Sequence, residues 1–510
     1  MKRLNFTKFL LIFPLLAAFF LPVFAQKKAP PKDVLTVFEK NIEQGKLAET
    51  ERPLLDFALA DPQNLRALEL VGRLRFRQNR IEEAKALYAR VLTLDANFTT
   101  ARINYGIILA QTGQLDDARQ ILSGINDSEL KDATARLNFA QVLTLVGDIP
   151  KALETAEKLP LNIKNSDALP VFAVCYLELG DKTKFDSLVP LAKKIAPTKV
   201  NISLKFAEIL LNAKQTPQAV ELLRAVALAA PKNAKALILL GKAEIYAGDF
   251  ANAKKHLAQA EVLQPKSAEV FFLQAMLENA QGNSTAAFDL IEKAVALEPN
   301  SKTLLSQFVV AAMRGNKAQK AVEAAEKLLI INPNDPDFLY LFGAASLQNG
   351  NLDKAQKSLE TLMQIRPNDS RGCLALGLTL AAQRDQLEPA RRQLERCVEI
   401  NPSNFEAKYQ LGLSYKTQGD TAKAIQYLEE TVALAPNYPL ALRDLGAVYL
   451  QSGAEQKAKN VLEKAVALAP NDAETHFQLS RLYNLLGDGT SAKKHLEMFQ
   501  KLRNPGGNLM

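Results

Sequence analysis

Proline recurs along this chain at a nearly constant interval from Pro197 onward. Successive prolines are 34 residues apart, with a single interval of 35 residues. They are Pro197, Pro231, Pro265, Pro299, Pro333, Pro367, Pro402, Pro436 and Pro470. A period of this length indicates one supersecondary unit that is stacked many times. Because each such unit buries its apolar faces against its neighbours, the chain is expected to form a long surface instead of one enclosed catalytic pocket.

Small residues repeat in phase with the prolines. If Leu65 is the first residue of a unit, later units begin at 99, 133, 166, 200, 234, 268, 302, 336, 370, 405, 439 and 473. The eighth position is glycine or alanine in every unit except those with Val309 and Ser480. The twentieth is alanine except at Phe185, allowing for a one-residue insertion before Ala390. Side chains this small allow two helices to approach closely.

Apolar residues recur at helical spacing on both sides of a mid-unit glycine such as Gly419, which predicts two short helices in each unit. Glycine ends the first helix because a left-handed terminal residue costs it little. The recurring proline ends the second helix. A polar residue then caps the next helix, as Asp335 does immediately before Pro336.

These features together resemble the tetratricopeptide repeat (TPR), a 34-residue helix-turn-helix unit with small residues at these two positions and a closing proline. The clearest copies begin at Phe405 and Ala473 and contain the strings YQLGLSYKTQGDTAKAIQYLEETVALAPN and FQLSRLYNLLGDGTSAKKHLEMF. The family often places a tryptophan early in the first helix, whereas this chain has none. The resemblance implies an all-α fold of the TPR type, an α-solenoid whose units form a right-handed superhelix.

The repeats are predicted to occupy residues 31–506, in about 14 units. Three units depart from the pattern of small residues and closing prolines and are classed as degenerate; they are 31–64, 133–165 and 166–199. Since each unit is stabilised only by its neighbours, the two degenerate units in the interior are the expected weak point of the array. Residues 507–510 form a short tail.

The N-terminus has the composition of a secretory signal peptide, with basic residues, an apolar stretch and a predicted cleavage site after Ala25. Residues 1–25 are therefore predicted to be removed, and residues 26–30 to form a short basic linker. The alternative is an uncleaved membrane anchor, but the apolar run is short for a membrane span and is interrupted by Pro14. Cleavage would leave an exported chain without a stable membrane span, located in the periplasm or secreted.

Charge does not point to a nucleic-acid partner. The formal net charge is +8 over 510 residues, and both signs are interspersed. A nucleic-acid-binding protein would need a concentrated basic face, so no such partner is predicted. The densest positive run is Arg73, Arg75, Arg77 and Arg80. A solvated helix face is the favoured interpretation of this run, with an anionic partner or a membrane surface as the alternative.

Residues that would carry catalysis are scarce. The three histidines are His256, His476 and His495, and two of them occupy the same place in the repeated string Ala-Lys-Lys-His-Leu, which favours a structural role. The sequence contains no zinc-binding His-Glu-x-x-His pair, phosphate-binding glycine loop or nucleophile elbow. We therefore predict no enzymatic activity, no cofactor and no metal site.

Two of the three cysteines are candidates for a disulfide. Cys373 lies near the start of the first helix of its unit, and Cys397 lies near the end of the second helix. An antiparallel pair would bring these two ends together, and an oxidising compartment would permit the bond. The alternative is that both are small core residues, since free cysteine is often buried.

The resemblance also indicates where a partner would bind. In the family the first helices line the concave side, so the fifth and ninth residues of each unit are expected to face inward. In the second half of the chain these positions are largely apolar or aromatic, and we take as candidate groove residues Phe272, Met276, Tyr340, Leu374, Leu378, Tyr409 and Leu413. The alternative is that they only pack against neighbouring helices. If they are exposed, they would form a groove for an extended or helical apolar segment.

The predicted function is that of an exported, non-catalytic scaffold that binds other proteins of an envelope or secreted complex. The alternative is an adaptor in a polysaccharide synthesis or export system, or a solenoid that binds glycans. The sequence does not identify the partner or the oligomeric state.

Overall fold

The structure, a computed structural model, describes residues 33–383 and 385–504. Within these ranges the secondary structure is helical, with no β-strand. The predicted leader 1–25, linker 26–30 and tail 507–510 lie outside the described residues. No helix in the described part of the chain has both the length and the apolarity needed to cross a membrane.

The chain divides into two compact units between Ala243 and Glu244, which we call unit 1 and unit 2. The point of division falls within one helix, α14. Unit 1 contains, in chain order, α1 (Asp33–Glu43), α2 (Leu47–Ala60), α3 (Leu65–Arg77), α4 (Ile81–Leu94), α5 (Thr99–Gln111), α6 (Leu115–Leu122), α7 (Ala133–Val146), α8 (Ile149–Glu157), α9 (Leu169–Glu178), α10 (Lys182–Ser187), α11 (Val189–Ile195), α12 (Val200–Asn212), α13 (Thr216–Ala229) and the start of α14 (Ala234–Ala247).

Unit 2 continues with α15 (Phe250–Leu263), α16 (Ala268–Ala280), α17 (Ser284–Leu297), α18 (Lys302–Arg314), α19 (Ala318–Ile331), α20 (Pro336–Gln348), α21 (Leu352–Ile365), α22 (Ser370–Ala382), α23 (Leu387–Ile400), α24 (Phe405–Gln418), α25 (Thr421–Leu434), α26 (Pro439–Gln451), α27 (Glu455–Leu468), α28 (Ala473–Leu485) and α29 (Gly489–Arg503). Within each of the two units, consecutive helices pair into hairpins, and neighbouring hairpins pack against one another. The all-α fold predicted from the sequence is confirmed in the described residues.

Glycine at the eighth position allows the two helices of a hairpin to touch. A Cβ atom added to Gly343 would lie 2.5 Å from Cγ of Leu359 on the second helix, and one added to Gly412 would lie 2.7 Å from Cγ of Leu428. Both leucines are fully buried and lie four residues beyond the alanine of the twentieth position. The backbone of the first helix is therefore covered directly by an apolar side chain of the second.

The turn inside most hairpins of the described residues uses one left-handed residue at the same position of the repeat. This residue is glycine in most hairpins, for example Gly419 with φ of 83°. Three hairpins use other residues there, namely Asn79 (φ 61°), Lys214 (φ 58°) and Asn316 (φ 54°). Asparagine tolerates this conformation better than most residues, whereas lysine does not share that tolerance.

Polar residues cap the first helices. Oδ1 of Asp335 accepts hydrogen bonds from the backbone N–H groups of Asp337 and Phe338, at 3.0 and 3.3 Å. Asn404 and Asp472 cap α24 and α28 in the same way. The recurring proline precedes each of these caps by two residues, which explains why the end of one hairpin and the start of the next keep a constant spacing.

Three consecutive hairpins of unit 1 have shortened or broken second helices. Helix α6 has 8 residues and α8 has 9, against 14 in α4. The second helix that follows α9 is split into α10 and α11, which are separated by Leu188. Phe185, which stands where alanine is expected, is 1% exposed and stacks on Phe206 at a centroid distance of 6.0 Å. The large ring thus fills space inside this irregular hairpin.

Candidate partner-binding surface

Two positions of the first helices form one surface along unit 2. The fifth and ninth residues of a helix lie on the same face because they are about one turn apart. We call these positions in α16, α18, α20, α22 and α24 the first-helix stripe. Its members are Phe272, Met276, Ser306, Val310, Tyr340, Ala344, Leu374, Leu378, Tyr409 and Leu413. All of them except Tyr409 keep part of their surface exposed.

The helices that carry the stripe are neighbours in space. Helix α18 contacts α20, α20 contacts α22, and α22 contacts α24. The residues of α16 and α18 meet at a shallow hollow, which is lined by Phe272 and Met276 on one side and by Val310 on the other. The candidate residues Phe272 and Met276 are therefore brought together by the structure.

Tyr340 lies beside a charged group. The guanidinium of Arg371 is 4.9 Å from the centre of the Tyr340 ring. The same guanidinium donates a hydrogen bond to Asp337 at 2.9 Å and another to Asp369 at 3.2 Å. The hydrogen bonds that Arg371 donates to these carboxylates hold its pKa above the ordinary value. The exposed side of the tyrosine is thus covered in part by a neutralised cation.

Leu374 connects two apolar clusters of unit 2. It packs against the cluster that contains Cys373 and Leu376 and also against the cluster that contains Tyr409 and Leu411. Leu378 and Leu413 lie one turn further along their helices and are likewise only partly buried. These leucines supply packing and, on their exposed sides, apolar surface.

Tyr409 is different, because its side chain is 6% exposed. Its hydroxyl donates a hydrogen bond of 2.9 Å to the carboxylate of Asp444. Its ring packs edge-on against Tyr438 at a centroid distance of 5.2 Å. Of the candidate groove residues, Tyr409 is therefore the one that the structure places in the packing between hairpins, with little surface left for a partner.

Charges around Asp444 balance one another. Burial opposes ionisation of the Asp444 carboxyl, but Lys416 at 2.8 Å and Arg443 at 3.0 Å hold its pKa below the ordinary value. Burial and the adjacent carboxylate raise the pKa of Tyr409, so this hydroxyl stays protonated and continues to donate. The cluster is a structural ion network.

Cys373 and Cys397 are also brought together. Their sulfur atoms lie at bonding distance and their Cα atoms are 5.6 Å apart, which suits a disulfide between α22 and α23. Cys175 is buried and has no bonded sulfur partner among the described residues. This geometry would accommodate the bond that the sequence predicts between Cys373 and Cys397.

Each of the three histidines contacts another side chain of the protein. Nδ1 of His256 is 2.7 Å from the carboxylate of Glu244, and Nδ1 of His495 is 2.9 Å from Nδ1 of His476. Burial, followed by the charge of His476, lowers the pKa of His495. The described part of the chain contains no group of three or more histidine, cysteine or acidic side chains arranged to hold a metal ion.

The arginine run of unit 1 is largely paired. Arg73 forms ion pairs with Glu39 and with Glu69, whose Oε1 is 2.9 Å from the guanidinium. Arg75 pairs with Glu51 and with a second glutamate at 3.2 Å. Burial raises the pKa of Glu69 despite its arginine neighbour. These pairs favour the interpretation of the run as part of a helix surface neutralised within the protein.

The hollow between α16 and α18 also contains Asn279 and Arg314, which were not among the sequence candidates. Val310 occupies the ninth position of its repeat, which the sequence predicts to face inward, whereas Asn279 and Arg314 occupy the twelfth and thirteenth positions of theirs. The thirteenth residue lies about one helical turn beyond the ninth, so extending the same face by one turn would have found Arg314.

Several solved structures are similar to this chain over most or part of its length. It is similar to a structure described as the APC/C hetero-tetramer Cut9–Hcn1, with 16% identity over 94% of this chain and 95% of that chain and a TM-score of 0.49. It is similar to MamA, with 24% identity over 32% of this chain and 95% of that chain and a TM-score of 0.30. For MamA from Desulfovibrio magneticus RS-1 the identity is 22% over 34% and 97%, with a TM-score of 0.31. No curated protein matches.

Family models match three segments of the chain. Two models described as tetratricopeptide repeat match residues 75–134 and 238–302. A model described as the second ARM domain of tetratricopeptide repeat protein 21 matches residues 285–505. The chain therefore contains tetratricopeptide repeats, as the sequence pattern predicts. The helical hairpins of unit 1 and of unit 2 are those of a TPR-type α-solenoid.

Proposed function

We propose that this chain is an exported, non-catalytic scaffold that binds a segment of a partner protein along the first-helix stripe of unit 2. The observation that carries the proposal is that nine of the ten stripe residues remain partly exposed after the hairpins have packed. Most of these residues are apolar, and apolar surface that continues across several elements is typical of a protein interaction site. Tetratricopeptide repeats are typical of protein–protein interaction, which supports the same assignment.

A continuous apolar stripe suits one class of partner in particular. A segment laid across successive first helices would place apolar side chains against Phe272, Val310, Leu374 and Leu378 in turn. Extended or helical segments can do this because their side chains recur at short, regular intervals. The proposed partner is therefore a protein segment with several apolar residues.

Export is the second part of the proposal and is supported by the signal-peptide pattern of residues 1–25. An exported scaffold would meet partners in the periplasm or outside the cell. The predicted mature chain begins at Gln26, so its N-terminal peptide can be identified directly.

The proposal is tested by crosslinking in cells with the tagged full-length protein, followed by fractionation and mass spectrometry. We expect a reproducible set of envelope or secreted proteins attached to a chain that begins at Gln26. Substituting Leu378→Glu together with Leu413→Glu should abolish most of these crosslinks, because a buried carboxylate would disfavour apolar contact. Circular dichroism of each variant checks that the helices are retained.

A matched control is available on the opposite helix of a hairpin. Ile330 is a large apolar residue that is 80% exposed on α19, outside the stripe. The Ile330→Glu variant should keep the crosslinks of the wild type. Equal loss in the control and in the stripe variant would contradict binding at the stripe. Recovery of an uncleaved chain would contradict export, and retention on a polysaccharide column without protein partners would favour the glycan-binding alternative.

A further inference from the structure

The hollow between α16 and α18 combines an apolar floor with one cationic group. Ile291 is buried beneath it, and Phe272, Met276 and Val310 form its sides. Its rim includes the exposed side chains of Asn279 and Arg314. The hollow is therefore suited to an apolar side chain that enters from solvent next to a group able to bind Arg314.

Arg314 has no carboxylate within ion-pair distance among the described residues. Its Nη1 atom donates to Oδ1 of Asn279 at 3.4 Å, which is a long contact with a neutral amide. Two other arginines on first helices of unit 2 are paired with acids, since Arg371 contacts Asp337 and Asp369, and Arg443 contacts Asp444. A guanidinium without an acidic partner retains donors for a planar carboxylate.

One further cation, Lys317, follows Arg314 in the chain. The amino group of Lys317 lies 3.6 Å from the centre of the Phe288 ring, on the turn that follows Arg314. The acidic residue of α16 that stands next to Asn279 in the chain is Glu278. Its carboxylate accepts a hydrogen bond from Asn283 at 2.8 Å and lies 3.9 Å from the amino group of Lys254. The carboxylate of Glu278 is thus bonded to other residues, and it does not neutralise the charge of Arg314.

We propose that this hollow is a specificity pocket, in which an apolar side chain of the partner segment contacts Phe272, Met276 and Val310 while an adjacent acidic side chain binds Arg314. The inference rests on the proposed function and adds the chemistry of the partner: an apolar residue next to aspartate or glutamate. The stripe supplies apolar contact along the segment, and Arg314 fixes the register by selecting the position of the carboxylate.

The test uses a phage-displayed library of random twelve-residue peptides, selected in parallel on the immobilised wild type and the Arg314→Glu variant. Peptides enriched on the wild type should contain a large apolar residue beside an acidic one. On Arg314→Glu the acidic residue should disappear and basic residues should replace it. Arg481→Glu is the matched control, because Arg481 is a first-helix arginine that donates to the neutral amide of Gln478 at 3.2 Å but lies outside the hollow. The Arg481→Glu variant should select the same peptides as the wild type.

A synthetic peptide with one of the selected sequences is then used to measure how much Arg314 contributes to binding. Its Kd, measured by fluorescence anisotropy, should rise about tenfold with Arg314→Gln, since a hydrogen-bonded charge pair contributes at this level. Replacing the acidic residue of the peptide by its amide should weaken binding to the wild type equally and should have little further effect on the variant. Circular dichroism checks that each variant is folded.

The possible outcomes separate the two proposals. Apolar peptides with the same acidic content on wild type and on Arg314→Glu would overturn the specificity pocket and leave the proposed function standing. An equal loss of acidic residues from the peptides selected on Arg314→Glu and on Arg481→Glu would also overturn the specificity pocket. The preference for acidic peptides would then depend on the overall charge of the protein and not on Arg314. If no peptide is enriched on the wild type, both the pocket and the binding of apolar segments by the stripe are contradicted.

Discussion

The hydroxyl of Tyr409 donates a hydrogen bond of 2.9 Å to the carboxylate of Asp444, which belongs to the first helix of the next hairpin. The other carboxylate oxygen contacts Lys416 at 2.8 Å. Both Tyr409 and Asp444 are buried. This contact joins α24 to α26, so a residue that the repeat register places in the groove instead stabilises the stacking of two hairpins.

Tyr409→Phe should lower the free energy of unfolding by about 1 kcal/mol, because the buried carboxylate loses one donor while the ring packing against Tyr438 is kept. Urea denaturation followed by circular dichroism measures the change, and hydrogen exchange of α24 and α26 shows where it occurs. Tyr340→Phe serves as a control, since that tyrosine is partly exposed. Equal stability of the Tyr409 variant and the wild type would show that the hydrogen bond contributes nothing.

The depressed pKa of Asp444 predicts a dependence on pH. The folded pKa lies below the ordinary value of about 4, so the ionised carboxylate stabilises the fold above that pH. The stabilisation is lost as the pH falls through the folded pKa, because the folded protein then takes up the proton as well. Asp444→Asn should therefore cost about 2 kcal/mol at pH 7 and progressively less as the pH is lowered towards about 3. A difference between the two proteins that stayed constant over this range would contradict the assignment.

The fold could be predicted from the sequence because each repeated residue has one physical task. Glycine at the eighth position permits close packing, as at Gly412, and a polar cap follows the closing proline, as at Asp335. Three turns could not be recognised by a glycine in the sequence. In these turns the left-handed residue is Asn79, Lys214 or Asn316. Asparagine tolerates this conformation, whereas at Lys214 the packing of the hairpin imposes the turn on a residue that does not favour it.

Lys214→Gly should stabilise the protein by about 1 kcal/mol. Lys214 has φ of 58°, a conformation in which its Cβ is strained, and glycine removes that strain at a smaller entropic cost. The reciprocal change Gly419→Lys should destabilise by a similar amount, because Gly419 occupies the equivalent turn with φ of 83°. Thermal unfolding of both variants tests the pair, and a destabilised Lys214→Gly protein would refute the strain argument.

The candidate surface could be predicted only in part. Repeat register identifies which residues share the face of Phe272 and Leu378, since that follows from helical periodicity alone. It does not reveal that Tyr409 is buried, because its partner Asp444 lies one hairpin further along the chain. Nor does it distinguish Arg314 from Arg371, since the difference is whether a carboxylate lies within reach in three dimensions.

The juxtaposition of Cys373 and Cys397 predicts one disulfide and one free thiol. Protein purified from an oxidising compartment should take up one alkyl group when denatured without reductant, at Cys175, and three after reduction. Burial raises the pKa of Cys175 to about 11, so denaturation is needed for that thiol to react. Reduction should lower stability by about 3 kcal/mol, because the bond closes a loop across one hairpin. Three alkyl groups without reductant would exclude the bond.

The segment that follows α8 is expected to be the first site of proteolysis. Helix α8 ends at Glu157 and α9 begins at Leu169, whereas regular hairpins are joined by only a few residues. Within this connection Ile163 is 53% exposed, and the turn is held mainly by Oδ1 of Asn162, which accepts from the backbone N–H groups of Lys164 and Asn165. Few buried contacts oppose local opening, so a protease can bind this stretch without unfolding a helix.

Limited digestion with trypsin should therefore cut after Lys164 before any site in unit 2, and mass spectrometry of the first fragments identifies the cut. Replacing Lys164 by glutamine removes the site and should slow the appearance of fragments, because the remaining lysines and arginines nearby lie mostly in helices. The Lys327→Gln variant, which removes a site within α19, should leave the early pattern unchanged. First cleavage within the regular hairpins of unit 2 would mean that the shortened helices of unit 1 are not the least stable part of the array.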